Sequence, residues 1–215
     1  MRLRVPEMEG RTARWYARQR GSHSQLAEYR RQAERMTADL PAGCDILEVA
    51  PGPGYHALEL ARLGYRVTGL DISHTMVQIA TDHARAAGMA VDFRHGDASA
   101  MPFGDDSFDL VVCQAAFKNF LHPVTVLDEM HRVLRPGRSA VIQDLNHDAT
   151  AADIAGEVAR MRLSPVNAFV ARFTLRWLRR RARTAEQFRR LVAASTFGEC
   201  EIGTDGIGLE VRLRA

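Results

Sequence analysis

The sequence predicts an α/β protein whose sheet is mostly parallel and ends in two antiparallel strands. Short β-branched runs alternate with segments of helical periodicity through the middle of the chain, and the C-terminal part breaks that alternation. Alternation of this kind requires crossover connections, which place successive strands parallel to one another. With 215 residues, of which 46% are hydrophobic and 26% charged, the chain has the size and composition of one folded domain.

The individual elements follow from apolar patterning and from residues that end helices. Apolar runs bounded by loops predict strands at 45–50, 66–71, 90–93, 108–113 and 139–145. Helical periodicity predicts the connecting helices at 54–64, 73–87 and 123–135. The last of these helices precedes Pro136 and Gly137, which cannot continue a helix.

The C-terminal part is predicted to complete the sheet. Thr184 and Gln187 have the spacing of a capping box, which predicts a helix to about Ser195. Two strand-like runs, 199–204 and 207–214, flank a turn and predict an antiparallel hairpin.

Two further segments lie outside the alternation. They are an Arg-rich helical segment at 11–39 and a helical insert at 151–182. Ligands of open α/β sheets bind at the carboxyl ends of the strands, and these two segments are long enough to cover that edge. We therefore expect 11–39 to form an N-terminal cover and 151–182 to form a substrate lid.

Composition excludes several classes of protein. The net charge of +3 is too small to require a nucleic-acid partner, which is not expected. Cys44, Cys113 and Cys200 are odd in number and lack a C-x-x-C spacing, so neither a disulfide framework nor a metal site is expected. The start of the chain lacks an apolar h-region, and no stretch reaches the roughly 20 apolar residues of a membrane span. These features predict a cytoplasmic protein, either a monomer or a homodimer.

The most informative segment is a predicted strand that runs into a loop rich in glycine and proline before a helix, Leu47-Glu48-Val49-Ala50-Pro51-Gly52-Pro53-Gly54. Glycines at such a turn allow the backbone to approach a ligand, and the helix that follows presents free N–H groups. The string Gly52-x-Gly54-x-x-Ala57 also fits a dinucleotide fingerprint, with Asp71 about 20 residues further on.

Glu48 narrows the choice of ligand. An unpaired carboxylate inside an apolar strand is costly to bury, so Glu48 needs a cationic or donor-rich partner. A pyrophosphate would be repelled, whereas the ammonium and sulfonium groups of S-adenosylmethionine would be attracted. After the third strand, Gly96, Asp97 and Ala98 offer a carboxylate and backbone groups that can contact an adenine amino group.

Five segments carry a family resemblance: Leu-Glu-Val-Ala-Pro-Gly-Pro-Gly (47–54), Gly-Leu-Asp-Ile-Ser (69–73), Gly-Asp-Ala (96–98), Met-Pro-Phe-x-Asp-x-Ser-Phe-Asp (101–109) and Leu-Asp-Glu-Met-His-Arg-Val-Leu-Arg-Pro-Gly (127–137). Together they resemble the class I S-adenosylmethionine-dependent methyltransferases, in the small-molecule branch that includes menaquinone and ubiquinone biosynthesis enzymes. The resemblance covers about 45–145. It implies a Rossmann-like three-layer sandwich with a seven-stranded sheet, S-adenosyl-L-methionine as the cofactor, and a small-molecule methyl acceptor. Methylation of oxygen, nitrogen or carbon is left open.

The resemblance also implies roles for individual residues. Gly52 and Gly54 would line the methionine part of the cofactor, and Asp71 would hold the ribose hydroxyls. The other cofactor-binding residues would be Ile72 and Met76 against the adenine, Gly96, Asp97 and Ala98 at its edge, Gln114 and Ala115 at the amino-acid end, and Glu48 and Ala50 in the loop.

The sequence departs from the family pattern at two places. Ala50 stands where the family has the first glycine of its loop, and an alanine with positive φ would be strained by about 1 kcal/mol or more. We therefore expect a negative φ at Ala50, with Pro51 and Pro53 stiffening the loop. Lys118 and Asn119 stand where many relatives carry histidine.

Three residues are candidates for catalysis, namely Tyr16, Lys118 and His147. Methyl transfer from a sulfonium is an in-line displacement, so the enzyme mainly aligns the reacting atoms. A general base is needed only if the acceptor is protonated at neutral pH, and Tyr16 or His147 could then serve. Lys118 is the only lysine in the chain and a candidate for contacting the substrate.

The insert also carries a basic stripe. The arginines at 172, 176, 179, 180 and 183 are interleaved with Phe173 and Trp177. The favoured interpretation is a solvated face with two core aromatics. An anionic substrate, RNA or a membrane surface is an alternative partner.

Three other functions remain open. The glycine string alone permits a nicotinamide oxidoreductase, although the Tyr-x-x-x-Lys dyad of the short-chain type is absent, because Gln114 lies four residues before Lys118. The arginines permit an RNA methyltransferase, although no Asn-Pro-Pro-Tyr-like motif occurs. A non-catalytic relative that binds the cofactor is the third alternative.

Overall fold

The structure, a computed structural model, describes residues 8–161 and 164–215. Its strands are β1 (Asp45–Val49), β2 (Arg66–Asp71), β3 (Val91–His95), β4 (Phe108–Gln114), β5 (Leu134–Leu145), β6 (Glu201–Asp205) and β7 (Gly208–Arg214). Its helices are α1 (Gly10–Arg20), α2 (His23–Met36), α3 (Tyr55–Arg62), α4 (His74–Ala86), α5 (Pro123–Val133), α6 (Ala151–Arg160), α7 (Pro165–Arg179) and α8 (Ala185–Ala193). A short 3₁₀ turn spans Phe117–Asn119.

The seven strands form one sheet in the order β3-β2-β1-β4-β5-β7-β6. The pairs from β3 through β5 are parallel, whereas β7 pairs antiparallel with both β5 and β6. The predicted seven-stranded, mostly parallel sheet with an antiparallel C-terminal hairpin is therefore confirmed.

Helices cover both faces of the sheet. Residues of β1 are buried on both sides, as expected for a central parallel strand. Ile46 belongs to an apolar cluster with α2 and α3, and Leu47 belongs to a second cluster with α5 and α8. The sheet and its two helical layers form the predicted three-layer sandwich.

One predicted boundary differs from the structure. Helix α5 ends at Val133, and β5 begins at Leu134 rather than at 139. Leu134 pairs with Phe108, and the register shifts before Leu110 pairs with Ser139. The Pro136-Gly137 segment therefore lies within an irregular start of the strand, which apolar periodicity alone does not reveal.

The N-terminal segment 11–39 contains most of α1 and all of α2, of which α1 contacts α4 and α2 packs on α3. The hydroxyl of Tyr55, at the start of α3, donates to the carbonyl oxygen of Ala17 at 3.2 Å. Near the start of α4, Thr75 Oγ1 accepts from the N–H of Gly10 at 3.0 Å. These bonds place α1 beside the edge of the sheet where ligands are expected.

The insert and the C-terminal helix also match their predicted spans. The insert 151–182 contains α6 and α7, and residues 162 and 163 lie outside the described residues. Thr184 and Gln187 form the predicted capping box at the start of α8.

An ion pair on α5 fastens the loop that follows β3. Glu129 accepts from the N–H of Met101 and from Arg132 Nε, both at 2.7 Å. Arg132 also donates to the carbonyl oxygen of Phe103 at 2.8 Å. This loop follows Asp97, so the ion pair helps to hold the carboxyl end of β3 in place.

The Glu129 ion pair predicts an acid-dependent loss of stability. The hydrogen bond from Arg132 holds the pKa of Glu129 below its ordinary value of 4.5, against the opposing effect of burial. The carboxylate therefore stabilises the fold above pH 4.5, and this contribution is lost as the pH falls through the lowered pKa. We expect Glu129→Gln to lower the free energy of unfolding by about 1 kcal/mol at neutral pH, and by less in acid. Urea unfolding measured across this pH range tests the expectation, which a pH-independent difference would contradict.

Candidate functional site

A cavity of about 470 Å³ lies at the carboxyl ends of the parallel strands. Its lining includes Ala50 after β1, Asp71 at the end of β2, Gly96 and Asp97 after β3, and Gln114 at the end of β4. Open α/β sheets bind ligands at this edge, and the volume lies in the range of small-molecule sites.

The loop after β1 is held by hydrogen bonds to β2. The N–H of Ala50 donates to the carbonyl oxygen of Leu70 at 2.8 Å. The N–H of Gly52 then donates to Asp71 Oδ2 at 2.9 Å. The chain turns sharply between these two bonds, with φ values of 56° at Ala50 and 54° at Gly52.

The predicted negative φ at Ala50 is therefore wrong. Both neighbouring hydrogen bonds reach β2, and the chain closes the turn between them through a left-handed residue at Ala50. An alanine in this region costs about 1–2 kcal/mol because its Cβ crowds the carbonyl oxygen. The backbone at Ala50 therefore has the left-handed conformation that glycine adopts readily, although the residue is alanine.

This strain predicts that Ala50→Gly stabilises the protein. Relief of the left-handed strain exceeds the added conformational freedom of glycine in the unfolded chain, and we expect a net gain of about 0.5–1 kcal/mol. Urea unfolding measures this gain in the free energy of unfolding. The control is Ala57→Gly in α3, where the same change should lower stability because it weakens a helix and removes a buried methyl group.

Gly54 has a different role from Gly52. It has a φ of 78°, and a Cβ there would lie 2.7 Å from Phe93 Cζ and 2.8 Å from Ala80 Cβ. It does not line the cavity, whereas Gly52 does. Gly54 therefore allows the start of α3 to pack closely against β3 and α4. The contact between Gly54 and the cofactor stays a prediction.

Asp71 is buried at the end of β2 and accepts two backbone hydrogen bonds. Its Oδ2 accepts from Gly52 and its Oδ1 from the N–H of Ser73, each at 2.9 Å. Burial raises the pKa of Asp71, although both backbone bonds act to lower it. Each carboxylate oxygen keeps a further lone pair, so the side chain can accept hydroxyl donors from a ligand.

The residues predicted to contact adenine lie together along one wall of the cavity. Ile72 is exposed there, and Met76 is buried on the first turn of α4. Asp97 accepts from the N–H of Ser99 through Oδ1 at 2.8 Å. Gly96 and Ala98 complete the wall, and a Cβ at Gly96 would lie 2.7 Å from Leu70 Cδ1.

A buried carboxylate and imidazole face each other at the other end of the cavity. Glu48 Oε1 lies 3.3 Å from His56 Nδ1, and both side chains are almost inaccessible to solvent. Glu48 Oε2 has no hydrogen-bond partner among the described residues. Because both residues line the cavity, this oxygen is available to a cationic ligand group.

The N-terminal helices supply the wall beside this pair. Tyr16, Arg20 and Tyr29 line the cavity, and the Arg20 guanidinium carbon lies 5.9 Å and 5.5 Å from the centres of the Tyr16 and Tyr29 rings. No carboxylate of the described residues lies within ion-pair distance of Arg20. Burial raises the pKa of Tyr29 to about 12, so its hydroxyl stays protonated at neutral pH.

His56, Arg20 and Tyr29 were not among the residues predicted from the sequence as binding or catalytic. His56 could have been found from the sequence, because it is a polar residue at a position where the periodicity of α3 requires an apolar one. Arg20 and Tyr29 belong to the predicted N-terminal cover, but their approach to the cavity depends on contacts between distant segments.

Gln114 belongs to a chain of side-chain amides. Its Nε2 donates to Gln32 Oε1 of α2 at 2.9 Å and contacts Gln143 Oε1 of β5 at 3.4 Å. Ala115, the next residue, has a φ of 54°. Both line the cavity at the predicted amino-acid end of the ligand.

Two of the three candidates for catalysis lie outside the cavity lining. Lys118 Nζ pairs with the buried Asp144 at 2.8 Å. His147 is exposed, and its Nδ1 lies 3.1 Å from the carbonyl oxygen of Arg179. Tyr16 is the candidate that lines the cavity.

The insert 151–182 contributes no described residue to the cavity lining. The expectation that the aromatics of its basic stripe lie in the core is wrong, because Phe173 and Trp177 are both exposed. Helix α7 packs on α6 through its opposite face, where Leu175 and Leu178 are partly buried.

Other kinds of site are not found in the described part of the chain. Cys44, Cys113 and Cys200 are free thiols, and no described group of histidine, cysteine and acidic side chains has the arrangement of a metal site. Within the same residues, no helix combines the length and apolar character needed to cross a bilayer.

Comparison with known families assigns this architecture. Residues 47–142, which run from β1 into β5, match the family model described as a methyltransferase domain. This segment is similar to methyltransferase domains. It contains the glycine-rich loop, Asp71, Asp97 and Gln114, which are the residues gathered at the cavity.

Relatives of this segment include proteins named as demethylmenaquinone methyltransferases. A demethylmenaquinone methyltransferase of Clavibacter sepedonicus is 41% identical over 102 residues, covering 47% of this chain and 41% of that protein. The chain spans about half the length of the curated relatives that it matches.

Solved structures share the fold. A SAM-dependent methyltransferase from Aquifex aeolicus superposes with a TM-score of 0.69 at 16% identity, covering 93% of this chain and 96% of that chain. The [4+2]-cyclase SpnF is 29% identical with a TM-score of 0.53, covering 56% of this chain and 47% of that chain.

The site fits S-adenosyl-L-methionine, the cofactor that the sequence resemblance predicts. The unpartnered Glu48 Oε2 suits the ammonium group, and the free lone pairs of Asp71 suit the ribose hydroxyls. No atom lies within 4 Å of a Cβ built at Gly52, so a ligand can approach the backbone closely there.

Proposed function

We propose that this protein transfers a methyl group from S-adenosyl-L-methionine to a small-molecule acceptor by in-line displacement. The observation that carries the proposal is the convergence of Glu48, Asp71 and Asp97 on one cavity, at the ends of three neighbouring strands. Their carboxylates face the places where a cofactor with an ammonium, two ribose hydroxyls and an adenine amine presents its donors.

The residues of the chain act mainly by alignment. S-adenosyl-L-methionine, when bound, would supply a methyl carbon on a sulfonium for in-line transfer to the acceptor. Asp71 is fixed by two backbone N–H groups, so it holds its ligand in one orientation. Ile72 and Met76 confine the adenine, and Gln114 and Ala115 border the amino-acid end. Such alignment contributes on the order of 7–11 kcal/mol to catalysis.

The acceptor is proposed to be apolar or aromatic and to carry an acidic group. Tyr16 and Tyr29 offer aromatic surface, and Arg20 offers a positive charge without a carboxylate partner among the described residues. Leu121 and His122 line the same side. The relative from Clavibacter sepedonicus is named for a quinone acceptor, which has the apolar, ring-containing character proposed here but no acidic group.

Tyr16 is the proposed general base if the group to be methylated is protonated at neutral pH. It lines the cavity, whereas Lys118 and His147 would first have to leave their present partners. The methylated atom, whether oxygen, nitrogen or carbon, decides whether this proton transfer is needed.

The proposal also covers the setting of the reaction. It places the protein in the cytoplasm as a monomer or homodimer that acts in small-molecule metabolism without a nucleic-acid partner. Tyr16, Arg20 and Tyr29 support the N-terminal segment 11–39 as a substrate cover. The role of 151–182 as a lid rests on its place in the chain after β5.

Calorimetry and turnover test the proposal. We expect S-adenosyl-L-methionine to bind in the micromolar range and NAD not to bind, because NAD brings a pyrophosphate towards Glu48. Turnover is then measured on a panel of quinols, phenols with a carboxylate, and RNA. Tight NAD binding would contradict the proposal, and preferential methylation of RNA would favour an RNA methyltransferase. Cofactor binding without turnover on any acceptor would favour a non-catalytic relative.

A further inference from the structure

Helix α7 carries large apolar side chains on the face that points away from the fold. Their spacing places them side by side along the helix. They are Phe169, Val170, Phe173 and Trp177, which are 73%, 55%, 69% and 51% exposed. The helix is thus apolar on two opposite faces, and only one of them is covered by α6. An apolar group of this size on a surface marks an interaction site.

The sequence around these side chains carries only positive charge. Between 158 and 185 the sequence has eight arginines and no acidic residue. On α2 and α8, surface arginines pair with a glutamate one turn away, as Arg31 does with Glu28 and Arg190 with Glu186. No carboxylate of the described residues lies within ion-pair distance of Arg172 or Arg176. Arg172 and Arg176 therefore remain available to an anionic partner.

We propose that this surface binds an anionic lipid bilayer. We call it the α7 face, and it consists of Phe169, Val170, Arg172, Phe173, Arg176, Trp177, Arg180 and Arg181. An amphipathic helix with aromatic residues on one side and arginines at its borders lies in the plane of a membrane interface. Its apolar side chains enter the acyl boundary, while the guanidinium groups contact lipid phosphates.

The geometry of α7 suits an interfacial position. The helix has 15 residues, fewer than the roughly 20 that a membrane span requires. The Arg181 guanidinium carbon lies 5.6 Å from the centre of the Trp177 ring, so charge and aromatic surface meet at the end of the helix. Tryptophan and arginine pack in this way where one side is apolar and the other is hydrated.

Two other partners explain less of the α7 face. RNA would neutralise the arginines but would leave Phe169, Val170 and Phe173 in water. A second copy of this chain would cover the apolar side chains but would bring two positive faces together, which costs free energy. A bilayer with anionic headgroups accounts for both the apolar side chains and the charge. This inference does not depend on the proposed function.

Vesicle binding tests the inference with the full chain and without cofactor. Vesicles of phosphatidylcholine with and without phosphatidylglycerol are sedimented with the protein at low and high salt. We expect binding only to the vesicles with phosphatidylglycerol, weakening as salt is raised. In a Trp15→Phe background, Trp177 is the only tryptophan, and its fluorescence should shift to shorter wavelength on binding.

Paired variants locate the binding surface. Arg172→Gln with Arg176→Gln should weaken vesicle binding about thirtyfold, since each arginine near an anionic surface contributes about one kcal/mol. Phe169→Ser with Phe173→Ser should weaken it at least as much. The control is Arg189→Gln with Arg190→Gln on α8, which removes the same charge from exposed positions and should change little. Circular dichroism verifies that each variant is folded.

Several outcomes would overturn the inference. Failure to bind phosphatidylglycerol vesicles is one, and equal weakening by the α8 control is another. Self-association that is lost in the Phe169 and Phe173 variant would identify the α7 face as a contact between copies. Binding of RNA with higher affinity than vesicles, lost in the arginine variant, would assign the face to nucleic acid.

Discussion

Replacing Gly54 with alanine is expected to lower the free energy of unfolding by about 3 kcal/mol. Two costs combine at this position. The backbone has a φ of 78°, where an alanine costs about 1–2 kcal/mol. The new Cβ would also lie 2.7 Å from Phe93 Cζ and 2.8 Å from Ala80 Cβ, so α3 or the Phe93 ring must move. Urea unfolding at neutral pH measures the loss.

Two further variants separate these costs. Gly52→Ala has the left-handed strain alone, because no atom lies within 4 Å of a Cβ built there, and it should cost about 1–2 kcal/mol. Phe93→Leu combined with Gly54→Ala should lose less than the sum of the single changes, because a smaller side chain leaves room for the new methyl group. Equal losses for Gly52→Ala and Gly54→Ala would show that packing against Phe93 is unimportant.

Local patterns predicted the architecture because each of them reports on short-range physics. The run 108–113 is apolar throughout, as a strand buried on both faces must be, and it became the centre of β4. Thr184 and Gln187 satisfy the N–H groups of the turn they begin, so the start of α8 could be located without knowledge of its neighbours. The positions of Asp71 and Asp97 at strand ends followed from the same periodicity.

Features that depend on distant contacts could not be predicted in the same way. The φ of Ala50 is set by hydrogen bonds to Leu70 and Asp71, so the intrinsic preference of alanine did not decide it. Lys118 meets Asp144 across 26 positions of sequence, and nothing near Lys118 indicates that its charge is paired.

The insert shows a further limit of sequence patterns. Apolar residues at helical spacing indicate that one face of a helix is buried, but α7 has two such faces, and the pattern does not identify the covered one. Leu175 and Leu178 face inwards, and the larger aromatic residues face outwards. The expectation of core aromatics therefore failed at Phe173 and Trp177.

Replacing Asp71 with alanine is expected to weaken the binding of S-adenosyl-L-methionine by about 1.5–3 kcal/mol, which is roughly a tenfold to hundredfold loss. Charge-assisted hydrogen bonds to two ribose hydroxyls would be removed. The N–H of Gly52 would also lose its acceptor, which loosens the loop that borders the cofactor. Calorimetry compares the variant with Asp71→Asn, which keeps the shape but not the charge and should lose less affinity.

Asp144→Asn is the matched control, since Asp144 is also a buried carboxylate at the carboxyl end of a strand but does not line the cavity. It should leave the affinity for the cofactor nearly unchanged, whereas an equal loss would mean that Asp71 acts only through the fold.

The pH dependence of cofactor binding provides an independent test of Asp71. Burial raises its pKa in the free protein, so the carboxyl takes up a proton at a higher pH than an exposed aspartate. Hydroxyl donors stabilise only the ionised form, which means that cofactor binding must lower this pKa and release the proton. The affinity should therefore fall as the pH decreases through the raised pKa, and this dependence should vanish in Asp71→Asn. If both proteins show the same pH profile, the ribose hydroxyls do not bind at Asp71, and the assignment of this end of the cavity is wrong.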